Sequence, residues 1–206
     1  MSVTVVERPA TRDAELAGKP GVVRFLELPP RRCVAIDGEG PPGPETFAPR
    51  LPGLYTAAWS LRFALKARGV LTKVGPLEGQ WWTSDGTTAL GDILDDTRSG
   101  WRWTLLIVLP DEAAPAELDA ALAAGRAKLA PPYDASLRID RLDEGSVAQL
   151  LHVGSYADER PSIERLHAAV AAAGLRLHGR HHEIYLGDPS RAAPERLRTI
   201  VRHPVR

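Results

Sequence analysis

The stretch that decides the fold is HHEIYLG, residues 181–187. Its side chains alternate, so a β-strand through it would direct Glu183 and Tyr185 to one face and Ile184 to the other. A carboxylate beside a phenol on one strand face has two interpretations. It is either a solvated position on a half-exposed strand or the floor of a pocket that needs a negative charge.

The composition is that of a globular protein with a balanced surface charge. The chain has 206 residues, 44% of them hydrophobic, with 26 basic and 26 acidic residues and one cysteine. We expect no nucleic-acid partner, because no basic cluster alternates with aromatic residues. We expect no membrane contact, because no apolar run approaches the roughly 20 residues of a membrane-spanning helix. These features predict a cytoplasmic monomer or homodimer whose partner is a small molecule.

The order of the predicted elements repeats along the chain, although the sequence hardly does. The first set is two strands, a long helix that ends at Gly69, and two more strands; the second set has the same order. The predicted strands lie at 22–28, 33–39, 77–83, 101–109, 136–142, 146–153, 181–187 and 199–202. The predicted fold class is α+β, with two pseudo-symmetric strand-helix-strand-strand modules, an antiparallel sheet, helices packed on one side and a central groove.

The predicted domain boundaries follow from this repeat. Weak periodicity over residues 1–20 predicts a mobile N-terminal arm, and residues 21–206 form the domain. Repeat one covers about residues 21–110, a linking helix covers 115–130, and repeat two covers about 135–206. A Gly- and Asp-rich loop before Trp101 is long enough to cover a site.

The tryptophans have a core interpretation and a binding interpretation. Aligning the two repeats sets Gln80 and Trp82 opposite the strand that carries Glu183, whereas a one-residue slip would put Trp81 there. Adjacent residues point to opposite faces, so at most one of the two tryptophans lines the groove and the other packs in the core. Trp101, near the loop, is a candidate lid.

Three motifs carry a family resemblance. They are PLEGQWW at 76–82, LHVGSY at 151–156, and EIYLGDP at 183–189 with PERLRTIVRHP at 194–204. Together they resemble the GyrI-like small-molecule-binding domain family, which has the SOUL/GyrI-type effector-binding fold, over nearly the whole chain after residue 20. The tandem tryptophans are similar to a stand-alone subgroup that includes cyclopropanoid cyclopropyl hydrolases. The chain lacks a helix-turn-helix region, which disfavours a one-component regulator.

The resemblance implies a groove for a bulky aromatic ligand, with Glu183 at its floor. Tyr185 lies in the same strand, and Tyr55 on the first helix would reach in from above. These three are the predicted catalytic residues. The predicted ligand-binding residues are Trp81, Trp82, Trp59, Trp101, Tyr156, His181 and Gln80.

Two main functional hypotheses remain open from the sequence. In the first, Glu183 orients or deprotonates water that opens an electrophilic cyclopropane, and the phenol of Tyr55 or Tyr185 hydrogen-bonds the oxyanion that develops. In the second, Glu183 is only a counter-ion in a protein that binds or senses a drug-like ligand. A protein that inhibits another protein, like the family's gyrase-inhibiting namesake, is a weaker third hypothesis because the chain has no strong charge patch.

Neither a metal nor a cofactor is predicted. His178, His181 and His182 with Glu183 match no ligand spacing of a known metal site, and adjacent histidines diverge on a strand. The sequence has no P-loop, dinucleotide fingerprint or GxSxG motif. Cys33 follows two arginines, which could depress its pKa, but a lone cysteine on an apolar strand is more often inert core.

Overall fold

The computed structural model describes residues 5–41, 43–83, 100–189 and 191–206, and the loop predicted before Trp101 lies largely outside them. The fold class is α+β with mostly antiparallel strands, as predicted. The strands are β1 (Val6–Glu7), β2 (Arg24–Glu27), β3 (Arg31–Glu39), β4 (Leu77–Thr83), β5 (Trp101–Val108), β6 (Arg138–Leu142), β7 (Ser146–Val153), β8 (His181–Tyr185) and β9 (Arg198–Pro204). The helices are α1 (Arg12–Leu16), α2 (Pro44–Phe47), α3 (Leu51–Ala67), α4 (Pro115–Arg126), α5 (Tyr133–Ser136) and α6 (Arg160–Ala172).

The chain separates into two compact units. Among the described residues, the first unit comprises 5–30, 80–83 and 143–206, and the second comprises 31–41, 43–79 and 100–142. Helix α4, which the sequence assigns as a link between repeats, belongs to the second unit. None of the helices in the described part of the chain is long and apolar enough to cross a membrane.

The first unit contains five strands in the spatial order β1, β2, β7, β9, β8. Only the short β1 runs parallel to its neighbour in this series. Helix α6 covers one face of β7 and β9, because Ile163, Leu166 and Val170 recur at helical spacing and pack against Leu150 and Val201. Each such fully buried side chain contributes about 1.5–3 kcal/mol of hydrophobic free energy, so this contact holds α6 on the sheet.

The opposite face of these strands buries a network of charged side chains around Arg202. The guanidinium is fully buried and donates hydrogen bonds to Glu15, Glu144 and Gln149 at 2.7–2.9 Å. Nδ1 of His182 lies 2.8 Å from Oε1 of Glu144. Burial alone would raise the pKa of Glu144, but the charges of His182 and Arg202 outweigh it and lower the pKa. The cation and its carboxylates are therefore paired in the interior.

The predicted mobile arm contains an ordered, anchored helix. Thr11 caps α1 by accepting a hydrogen bond from the backbone amide of Ala14. Glu15 from this helix is fully buried against Arg202, and Arg12 pairs with it. Residues 12–16, within the predicted arm, therefore form a helix whose Glu15 is paired with Arg202. Sequence periodicity missed this anchor because it depends on one long-range ion pair and not on an apolar stripe.

In the second unit, β3 lies between β5 and β6 and pairs antiparallel with both. Helices α3 and α4 pack closely through glycines: a Cβ added at Gly125 would come within 2.7 Å of the Gly53 carbonyl oxygen. In the sheet, Gly38 of β3 faces Trp103 of β5, whose indole ring covers it. Glycine is needed at Gly38 because the ring occupies the space of a side chain.

We expect Glu15→Gln to lower the free energy of unfolding by about 3 kcal/mol, because it leaves Arg202 with one less carboxylate in the interior. Urea denaturation measures this loss. The matched control is Glu164→Gln on the exposed face of α6, where Oε1 of Glu164 lies 3.6 Å from Nη1 of Arg160. We expect this substitution to change the free energy of unfolding by no more than about 0.5 kcal/mol. Equal effects of the two substitutions would contradict the anchoring role of Glu15.

We expect Gly38→Ala to destabilise the second unit by about 1–3 kcal/mol, since the new methyl group overlaps the indole of Trp103. Gly43→Ala is the control, because nothing lies within 4 Å of a Cβ at that position. Thermal unfolding followed by near-ultraviolet circular dichroism measures both. If Gly38→Ala unfolds at the same midpoint temperature as the wild type, the Trp103 ring does not occupy the space next to Gly38.

Candidate functional site

Strand β8 presents different chemistry on its two faces. His182 pairs in register with Arg202 of β9, so both lie on the face of the buried ionic network. Tyr185 pairs in register with Thr199, so the alternate residues Glu183 and Tyr185 lie on the face that α6 covers farther along the sheet. The alternation read from the sequence therefore places Glu183 and Tyr185 together, as predicted.

The carboxylate of Glu183 is held from two sides. The hydroxyl of Tyr185 donates a 2.7 Å hydrogen bond to Oε2, and Nε2 of His181 lies 3.1 Å from Oε1. The side chain of Glu183 is 16% exposed, whereas that of His181 is fully buried. Each carboxylate oxygen has two lone pairs, so each can accept a further hydrogen bond from a water molecule or a ligand. The geometry suits a fixed base or a fixed negative charge.

The hydroxyl of Tyr185 contacts Glu183, whereas the sequence predicted a contact with a substrate oxyanion. Burial, followed by the charge of Glu183 and the hydrogen bond to it, raises the pKa of Tyr185 well above its ordinary value of 10.0. The side chain is therefore a phenol, and its proton is directed at Glu183 and not at a substrate oxyanion. This hydrogen bond holds the carboxylate of Glu183 in one orientation.

A second carboxyl, that of Glu159, lies in the same region and was missed from the sequence. Glu159 is the residue before α6 and is only 4% exposed. Its Oε1 has no hydrogen-bond partner among the residues that the structure describes. No sequence signal identified it, because a glutamate at the start of a proline-containing helix is usually a solvated residue that favours the helix dipole.

The protonation of Glu159 is decided by burial. Burial, together with the negative charge of Glu183, raises the pKa of Glu159 to about 9, which the nearby Thr199 hydroxyl lowers only in part. The N-terminus of α6 opposes this by about 0.3–1 kcal/mol. That is less than the roughly 1.36 kcal/mol that one pKa unit represents, so it does not reverse a rise from 4.5 to about 9. Glu159 is therefore a neutral acid at pH 7.

Tyr156 completes a group that we call the carboxyl–phenol cluster: Tyr156, Glu159, Glu183 and Tyr185. The rings of Tyr156 and Tyr185 meet edge to face, with centroids 5.7 Å apart. Burial, followed by the charges of Glu159 and Glu183, raises the pKa of Tyr156. Because Tyr156 is still 43% exposed, the cluster reaches the protein surface at this residue.

A row of histidine rings extends from the cluster, beginning at His181. The ring of His203 lies 6.0 Å from that of His181 and 5.4 Å from that of His167. Burial lowers the pKa of His203 to about 2 and that of His167 to about 4, so both are neutral at pH 7. No group of three metal-ligating side chains in the described ranges is arranged to hold an ion.

The tandem tryptophans have different environments. Trp81 is buried, with 4% of its surface exposed, whereas Trp82 is half-buried. The guanidinium of Arg180 stacks 3.6 Å above the ring of Trp82, and its Nη1 lies 3.4 Å from Oε1 of Gln80. Of the two tryptophans, Trp82 is therefore the one with a ring face that a flat ligand can reach after Arg180 moves.

Three predicted site residues lie in the second unit. Tyr55 and Trp59 are exposed on α3, by 37% and 43%. Trp101, the candidate lid, is buried in β5 with 3% exposed. A shared role of these residues with Glu183 stays a prediction. Cys33 is buried, and burial raises its pKa to about 12, so it is an inert thiol.

Comparisons with known proteins agree with this fold. The family model "GyrI-like small molecule binding domain" matches residues 110–206. No curated protein matches the chain.

Solved structures match over almost the whole chain. An uncharacterized conserved protein from Listeria innocua is 28% identical, with a TM-score of 0.78, and the match covers 95% of this chain and 97% of the other. A hydrolase from Listeria innocua is 26% identical, with a TM-score of 0.74 and coverage of 97% and 99%.

A more distant structure has the same fold without close sequence similarity. The C-terminal domain of EcmrR is 12% identical, with a TM-score of 0.55, and the match covers 90% of this chain and 97% of that domain. The match to the GyrI-like family model covers residues 110–206, just under half of the chain.

Proposed function

We propose that this protein binds a bulky aromatic or hydrophobic small molecule at the carboxyl–phenol cluster and hydrolyses an electrophilic cyclopropane ring in it, as detoxification or self-resistance. The observation that carries the proposal is the carboxylate of Glu183, which is mostly buried and fixed by Tyr185 and His181. A carboxylate held in this way can accept a proton from water without first reorganising.

The proposed reaction begins with a water molecule on a free lone pair of Glu183. As the water oxygen attacks the ring carbon, Glu183 removes a proton from the water, and Tyr185 keeps the carboxylate oriented. Ring strain supplies part of the driving force, so the protein has to contribute positioning and one proton transfer. The ring of Trp82 would hold a flat substrate beside this water.

A structural relative that is itself a hydrolase supports the reaction type but not the substrate. One matched Listeria innocua protein is described as a hydrolase, at 26% identity over 97% of this chain. Its description gives no substrate, so the cyclopropanoid substrate rests on the resemblance of the tandem-tryptophan motif. Small-molecule binding has broader support, because it is the description of the matching family.

A second candidate function is binding or sensing without turnover. The contact that favours it is the guanidinium of Arg180 on the ring of Trp82, since it demonstrates that this ring accommodates a cation. In that case Glu183 supplies only charge. A hydrolase converts the ligand to its water adduct, whereas a binding protein releases it unchanged.

We expect Glu183→Gln to lower turnover of a spirocyclopropyl dienone by roughly 10²–10⁴-fold, because an amide cannot take the proton from water. The water adduct is quantified by mass spectrometry. Affinity for the neutral dienone, measured by tryptophan fluorescence quenching, stays near that of the wild type, since the substitution preserves shape.

The matched control is Glu164→Gln, which changes an exposed glutamate of the same unit and keeps wild-type turnover. If the wild type binds the dienone saturably but returns it unchanged, the protein is a binding protein. If Glu183→Gln makes the adduct at the wild-type rate, Glu183 is not the base.

We expect Arg180→Ala to strengthen binding of a flat aromatic cation about 2–5-fold, because it removes a competing cation worth about 0.5–1 kcal/mol from the ring of Trp82. Fluorescence titration measures the affinity. Arg176→Ala removes an exposed arginine from the same segment and serves as the control for net charge. Equal effects of both substitutions would mean that charge alone, and not access to Trp82, determines affinity.

A further inference from the structure

Glu159 and Tyr156 are the members of the carboxyl–phenol cluster that have no role in the chemistry described so far, and Glu159 is the more deeply buried of the two. Ring opening separates charge: water loses a proton to Glu183, and negative charge collects on the substrate. The sequence predicted that the phenol of Tyr55 or Tyr185 meets that charge, but the hydroxyl of Tyr185 donates to Glu183, and Tyr55 lies in the second unit. Another proton donor is therefore needed close to the same carboxylate.

We propose that Glu159 is this donor, and that it gives its carboxyl proton to the carbonyl oxygen of a neutral substrate whose strained ring is conjugated to that carbonyl. The inference rests on the proposed function and adds a proton donor to it. It assigns the two glutamates complementary roles, with Glu183 as base and Glu159 as acid.

The burial of Glu159 supports this role. The residue is 4% exposed, and its Oε1 meets no hydrogen-bond donor or acceptor among the described residues. An unpaired buried carboxyl oxygen is unfavourable in the free protein, and a ligand group that hydrogen-bonds to it would remove that penalty. The chain brings this oxygen to the cluster through the turn that also carries Tyr156.

The charged and polar groups around Glu159 shift its pKa in both directions. They are Glu183 on β8, the Thr199 hydroxyl on β9, and the phenols of Tyr156 and Tyr185. Burial and the charge of Glu183 raise the pKa of Glu159 to about 9, so a proton is available at neutral pH. Two carboxyls in one site with separated protonation states form an acid–base pair.

The proposed step is balanced in atoms and charge. The oxygen of water bonds to the ring carbon, and the ring carbon–carbon bond breaks. Its electron pair moves through the conjugated system to the carbonyl oxygen, which takes the proton of Glu159, while Glu183 takes the proton of water. One proton then passes from Glu183 to Glu159, which restores both residues and leaves one water added to the substrate.

The charge of the cluster defines the substrate class. With Glu159 and both phenols protonated, Glu183 supplies its only negative charge. Protonated groups hydrogen-bond well to a carbonyl oxygen but cannot neutralise a second anion. A neutral, conjugated carbonyl compound fits this arrangement, whereas a permanently anionic substrate is repelled by Glu183.

The test compares Glu159→Gln with the wild type on two spirocyclopropyl dienones, one of which carries an electron-withdrawing group that makes its ring-opened product a stronger acid. For the parent dienone we expect turnover to fall roughly 10²–10³-fold. For the activated dienone the loss shrinks to about 10-fold or less, because its oxyanion needs less protonation. Damage to the fold would slow both substrates equally. Glu164→Gln is again the matched control.

A second measurement does not depend on turnover. Because the folded state holds a proton that the unfolded state loses above its ordinary pKa of 4.5, the contribution of Glu159 to stability falls as pH rises from 4.5 to about 9. Glu159→Gln lacks this contribution and keeps those of the buried histidines, so its urea midpoint is higher than that of the wild type at pH 7 and the difference between the two proteins grows from pH 4.5 to about 9.

Three outcomes overturn the proposal. The first is equal loss of turnover on both dienones, and the second is no loss on either. The third is an unchanged pH dependence of stability in Glu159→Gln, which would mean that the residue carries no proton at neutral pH. Absence of any water adduct from the wild type refutes the proposed hydrolase function, and the donor role with it, whatever the stability shows.

Discussion

The register between β8 and β9 is the constraint on which the candidate site depends. Pairing His182 with Arg202 sets the ionic network on one face of the first unit, and pairing Tyr185 with Thr199 sets Glu183 and its phenol on the other. A one-residue slip would exchange the faces and bury Glu183 against the carboxylates that surround Arg202. The network makes that exchange unfavourable, because a buried guanidinium without its carboxylates is strongly destabilising. The buried ionic network around Arg202 thus also maintains the position of Glu183.

The carboxyl groups on the two faces of β8 and β9 differ in their hydrogen bonds and in the direction of their pKa shifts. Around Arg202, Glu15 and Glu144 receive short charge-assisted hydrogen bonds, and the pKa of Glu144 is lowered. On the other face, Glu159 is almost as deeply buried, yet its Oε1 has no partner in the described part of the chain, and burial raises its pKa to about 9. Sites that retain an unsatisfied polar group at the expense of stability are frequently functional.

The sequence predicted what depends on local pattern. Alternation along the strand placed Glu183 beside Tyr185. The sequence did not predict what depends on distant contacts. The burial of Glu159 depends on strands that begin more than twenty residues later, and the anchoring of Glu15 depends on Arg202 near the other end of the chain. Such contacts leave no periodic signal, because they join residues that are far apart in the chain.

The protonation of the cluster also bears on the choice between catalysis and binding. A site that only captured cations would gain from two ionised carboxyls, and a more hydrated position for Glu159 would supply the second charge. The fold instead buries Glu159, so Glu159 stays protonated beside the carboxylate of Glu183. It therefore adds no second negative charge that would attract a cation. A neutral carboxyl adds nothing to the attraction of a cation, but it can donate a proton to an oxygen that becomes negative. Burial of Glu159 therefore favours acid–base chemistry over simple charge capture.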